Sequence, residues 1–123
     1  MTALILDTAG EVAFLALSKE GLIISSQTFP SKPDLSKLLL PSISKLLRGT
    51  PDYICVGTGP GSYTGTRIGG LIAKTLAFAW KIPLIPFSST LLPDLSAIGK
   101  ECYEKFKNKE ISQLELVYFS PTP

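Results

Sequence analysis

The chain contains no histidine among its 123 residues. That absence removes the usual general base near neutral pH, the histidine-dependent hydrolase triads and the commonest transition-metal ligand. Cysteine is nearly as scarce. Cys55 lies in an apolar run and Cys102 in a charged one, without CxxC spacing, so two free thiols are expected rather than a disulfide framework or a zinc site. No run approaches the roughly 18 to 20 apolar residues of a membrane helix, and the opening MTALILDTAG has neither a basic n-region nor a cleavage site. The expected setting is the cytoplasm, with no membrane partner. Formal net charge is only +2, with acids and bases interleaved, so the basic footprint of direct tRNA or duplex binding is missing.

What is present is enough to fold. Apolar residues make up 45% of the chain and charged residues 18%, too apolar a balance for a solvated disordered segment. A chain of this length fits one compact domain, and residues 1–123 are read as one, with 100–123 as a peripheral tail.

Short apolar runs bounded by turn residues place strands at 3–6, 12–17, 22–29, 52–56 and 83–87. The first three are joined by short turns and form an antiparallel meander. Leu35, Leu38, Leu39, Ile43, Leu46 and Leu47 recur at helical spacing, which predicts an amphipathic helix with a kink or break at Pro41. Beyond the fifth strand, Ser88, Ser89 or Thr90 is placed to cap a helix that Pro93 and Gly99 interrupt. Residues 111–119 alternate weakly and read as a last strand.

The most informative stretch is GTGPGSYTGTRIGG, residues 57–70. Its glycines permit positive φ or close backbone approach, and Pro60 restricts itself and Gly59, so the loop is expected to hold one shape. It is neither a Walker A loop nor a dinucleotide fingerprint, since no lysine follows the glycines and Ser62 stands where a third glycine is required. Two readings remain for it: a structural turn, or an anion site at a helix start helped by Ser62, Thr64 and Arg67. Asp7 and Thr8, at the end of the first strand, join that candidate phosphate set, against the alternative of a locally bonded strand-end turn. The helix expected after Gly65 carries a small stripe of Gly69, Ala73 and Ala77 beside Ile68, Ile72, Leu76 and Trp80, with Leu71 and Phe78 on neighbouring rows. This apolar arc is wider than a sheet-covering helix needs. Its second partner is either the first helix or another molecule.

The segments LILDTAGEVAFLAL and GTGPGSYTGTRIGGLIAKTLAFAWKIPLIPFSSTL resemble the TsaB/YeaZ family, in its N-terminal lobe, across roughly residues 3–92. The resemblance implies an α/β, actin-like and ribonuclease H-like lobe: a five-stranded mixed sheet, three antiparallel strands then parallel ones, with helices packed on it. It implies a non-catalytic partner subunit in the making of N6-threonylcarbamoyladenosine at position 37 of tRNA, despite the family's old glycoprotease label. The partners implied are a TsaD-like catalytic subunit and a TsaE-like ATPase, with tRNA met only through the complex and a homodimer when alone. No cofactor is expected on this chain by itself; ATP and magnesium belong to the complex. The docking surface implied comprises Leu35, Leu38, Leu39 and Ile43 of the first helix, with Arg67, Ile68, Leu71, Ile72 and Thr75 of the second. The rival reading is a nucleotide- or phosphate-binding half of an actin-like enzyme, using Asp7, Thr8, Ser62, Thr64 and Arg67, that another chain completes. The sequence departs from the family in two ways. Members typically continue into a second lobe, which is not expected within these 123 residues, and Lys32, Pro33 and Asp34 stand near the first helix, where many members carry a histidine.

Overall fold

The computed structural model describes residues 1–30 and 35–108, with Tyr63 described by its backbone alone. The region of Lys32, Pro33 and Asp34 and the strand expected over residues 111–119 lie outside the described residues.

Alternation along each central strand decides the architecture. In β1 (Thr2–Asp7), Leu4 and Leu6 point to one face and Ala3 and Ile5 to the other. In β4 (Tyr53–Gly57), Ile54 and Val56 oppose Tyr53 and Cys55 in the same way. Strands apolar on both faces must be covered on both faces, and parallel pairs are usually found in that situation. The sheet order is β3-β2-β1-β4-β5, where β2 is Val12–Lys19, β3 is Leu22–Pro30 and β5 is Leu84–Phe87. β1 pairs antiparallel with β2 and parallel with β4, and β4 pairs parallel with β5. This is the single actin-like, ribonuclease H-like lobe that the resemblance implied.

One face is covered by α1 (Leu35–Leu46) and α2 (Tyr63–Trp80), which share a core with Leu4, Leu6, Leu15, Ile54 and Val56. The other face is covered by α3 (Leu95–Lys107), whose Ile98 and Cys102 close over Ala3, Ile5, Cys55 and Ile85, while Phe106 stacks on Tyr53. Among the described residues no helix is long and apolar enough to cross a membrane.

Three local expectations differ from the structure. α1 runs through Pro41 without a break. Leu35, Leu39 and Ile43 on either side of it are all buried in the core, and that packing outweighs the missing backbone donor. Gly99 does not interrupt a helix but lies buried inside α3, where its missing Cβ lets the helix approach Gly21: an added Cβ would sit 2.7 Å from the Gly21 carbonyl oxygen. Residues 100–107, read from sequence as the start of a peripheral tail, complete this helix, because Cys102 and Phe106 pack on the sheet.

Candidate functional site

The carboxyl ends of β1, β4 and β5 converge at the glycine-rich loop, the position where open α/β sheets usually place their sites. Asp7 ends β1 and is fully buried there. One of its oxygens accepts the Ala9 amide at 2.8 Å, and the other accepts the Ser89 hydroxyl at 2.6 Å. Ser89 in turn accepts the Gly59 amide at 2.9 Å, and its own amide donates to the Gly59 carbonyl at 2.9 Å. The loop is thereby tied to the first residues after β5 on one side and to the end of β1 on the other. Gly59 has φ of 94°, which only glycine adopts at ease, and it precedes a cis Pro60. A Cβ on Gly57 would overlap the Asp7 carboxylate, so β4 meets β1 here with no room for a side chain. Burial pushes the Asp7 carboxyl above its ordinary value, and the Ser89 and Ala9 hydrogen bonds pull part of that rise back.

The loop delivers the chain directly into α2, which begins at Tyr63, earlier than the sequence reading placed it. Ser62 is the reason: it sits extended at the N-cap and its hydroxyl accepts the Gly65 amide at 3.0 Å. Thr8, 1% exposed, donates its hydroxyl to the Gly65 carbonyl and accepts the Gly69 amide at 2.9 Å. At the far end Lys81 closes the helix in the left-handed conformation, φ 57°.

Of the candidate phosphate set, Asp7, Thr8 and Ser62 are brought together at the junction of loop and helix, with their side-chain oxygens engaged by the protein itself. Thr64 and Arg67 lie on the exposed side of α2. The described residues contain no group of three or more acids or cysteines placed to hold a metal ion. Cys55 and Cys102 are free thiols, both buried in the core beneath α3, and desolvation pushes the Cys55 thiol well above its ordinary value.

The nine residues implied as a docking surface divide sharply. Leu35, Leu39 and Ile43 are buried in the chain's own core and are not surface, a correction with a simple cause: α1 turns its main apolar stripe onto the sheet. Ile68 and Ile72 are half-buried against the same core. Leu38, Arg67, Leu71 and Thr75 are exposed. Sequence reading gave little weight to Phe78, 87% exposed and one heptad beyond Leu71, itself 67% exposed, so that the two share an edge of α2. It also left unassigned a groove of about 350 Å³ between α1 and α2, lined by Leu40, Ile43, Leu47, Leu76 and Trp80 among others. Leu40, standing off the stripe of α1, was the visible signal for that groove. Ser89 was read only as a possible cap, although a serine just past a parallel strand lies where neighbouring loops meet.

A family model described as TsaD, tRNA N6-adenosine threonylcarbamoyltransferase, matches residues 35–93. The tRNA threonylcarbamoyladenosine biosynthesis protein TsaB of Bacillus subtilis is 37% identical over 106 residues, covering 81% of this chain and 45% of the relative. The Haemophilus influenzae protein of the same name is 30% identical over 131 residues, covering 98% and 53%. Among solved structures, YeaZ from Pseudomonas aeruginosa superposes with a TM-score of 0.64 at 34% identity, over 71% of this chain and 43% of that one. The chain spans about half the length of the curated relatives it matches. On these identities and this superposition, the chain belongs to the TsaB/YeaZ family.

Proposed function

We propose that this chain is a non-catalytic partner subunit in the biosynthesis of N6-threonylcarbamoyladenosine at position 37 of tRNA, and that it docks on a TsaD-type catalytic subunit through α1 and α2. The observation that carries the reading is apolar surface left open on both helices: the outward edge of α2 at Leu71 and Phe78, and, on a different side of that helix, the groove lined by Leu40, Leu47, Leu76 and Trp80. Large apolar side chains left in water favour association over solvation. The exposed members of the implied set, Leu38, Arg67, Leu71 and Thr75, lie on the same two helices. The relatives' names support the pathway, and the match of residues 35–93 to a TsaD-type family model is consistent with a partner of related fold.

In this reading the chain contributes shape and no reacting group. The ATPase of the pathway and the TsaD-type subunit bring the nucleotide, magnesium and catalytic residues. Alone, the same face pairs two copies of the chain. The test is co-purification of the chain with its cognate TsaD-type subunit, followed by calorimetry. Leu71→Glu places a charge in the contact and abolishes the complex while leaving the fold intact. Wild-type affinity in a folded Leu71→Glu protein rejects this docking face.

A further inference from the structure

We propose that Thr8 is a positioning residue for α2, its hydroxyl standing between the Gly65 carbonyl and the Gly69 amide and so setting the course of the helix. This inference rests on the docking reading above for its functional consequence, and on geometry alone for the bridge itself. In an undisturbed α-helix the amide of residue 69 would donate directly to the carbonyl of residue 65. Here the Thr8 hydroxyl meets both ends of that pair, donating to the Gly65 carbonyl and accepting the Gly69 amide at 2.9 Å. A side chain that bonds a ladder carbonyl and amide can set the direction a helix takes from that turn.

The surroundings are built around these two bonds. A Cβ on Gly69 would lie 2.5 Å from the Thr8 hydroxyl oxygen, and one on Gly65 would collide with the Thr8 carbonyl, so both glycines make room for one threonine. Thr8 is 1% exposed, which keeps water from competing for either bond. It directly follows β1, which is held by a paired strand on each side. The bridge therefore fastens the second turn of α2 to the rigid centre of the sheet, and the direction of Arg67, Leu71, Thr75 and Phe78 follows from it.

The test compares Thr8→Val, which keeps the shape and loses the hydroxyl, with Thr8→Ser, which keeps the hydroxyl. On the chain alone, amide exchange at Gly69 is expected to be roughly tenfold faster in Thr8→Val and restored in Thr8→Ser, as loss of one buried hydrogen bond implies. Unchanged exchange at Gly69 in Thr8→Val overturns the bridge. Against the TsaD-type subunit, Thr8→Val is expected to bind about tenfold more weakly and Thr8→Ser like wild type. Equal binding by folded Thr8→Val overturns the positioning role. Should Thr8→Val not fold, Thr8→Ala replaces it in both arms with the same two criteria. If the wild-type chain itself fails to bind, the docking reading falls and takes the positioning role with it, while the exchange data still decide the bridge separately.

Discussion

Replacing Ser89 with alanine removes a side chain that joins the glycine loop to Asp7. Two hydrogen bonds go together: the Gly59 amide loses its acceptor at 2.9 Å, and the Asp7 carboxylate loses a hydroxyl donor at 2.6 Å. A lost partner for a backbone amide costs about 1 to 2 kcal/mol and one for a buried carboxylate about 1.5 to 3. Ser89 is only partly buried, so water recovers some of this. A net loss of about 2 to 3 kcal/mol is expected, lowering the melting temperature by about 10 to 20 °C for a domain near 100 residues. The deficit should also depend on pH. Burial raises the folded pKa of Asp7 above its ordinary 3.8, so the folded protein holds more protons across that window, and stability is greatest below it and falls as pH rises through the folded value. The Ser89 hydrogen bond limits that rise. Removing it extends the window upward, so the deficit of Ser89→Ala is smallest at acid pH and grows toward neutrality. Thermal melts of wild type and Ser89→Ala from pH 4 to 8, repeated in an Asp7→Asn background, measure both effects. A deficit that is equal at all pH values, or that keeps its pH dependence when residue 7 cannot ionise, refutes the link between the two side chains.

Leu39→Ala, at a fully buried position in α1, should cost about 2 to 5 kcal/mol by chemical denaturation, whereas Leu38→Ala on its exposed side should stay within about 0.5. Gly99→Ala should force α3 away from the Gly21 carbonyl and cost about 1 to 3 kcal/mol, and a neutral result would show that the helix has slack there. Cys55 and Cys102, both buried, should resist a water-soluble thiol reagent in the native protein and react together on unfolding, which a timed thiol titration measures. Early labelling of either would show that α3 opens locally.

The sheet was legible because its strands are short apolar runs between strong turn signals, and runs such as residues 3–6 are apolar on both faces only when both faces are covered. α1 was legible in position but not in role. Leu35, Leu39 and Ile43 form the stripe that any amphipathic helix shows, and spacing cannot say whether the stripe meets its own sheet or a partner. α3 was misread because Pro93 and Gly99 are helix breakers by propensity. Pro93 in fact stands before the helix, and Asp94 caps it by accepting the Ala97 amide at 3.0 Å, a proline-then-cap order that was open to reading. Gly99 was not readable, since its reason is a backbone from another hairpin passing close by.

The loop presents the sharper case, because its residues were recognised and their chemistry still depended on the fold. An acid and a hydroxyl at the end of the first strand, followed later by glycines and a helix start, suit both an anion site and an internal lock. The choice turns on where the lone pairs and protons point, and that is a tertiary fact. Asp7 finds Ser89 across 82 positions of sequence and Thr8 finds Gly69 across 61. Each of these bonds engages a side chain of the candidate phosphate set. Thr8 and Ser62, which suggest a ligand site from sequence, thus also bond the first turns of α2 from within, and under the proposed docking a helix braced in this way needs less reorganisation before a partner meets it.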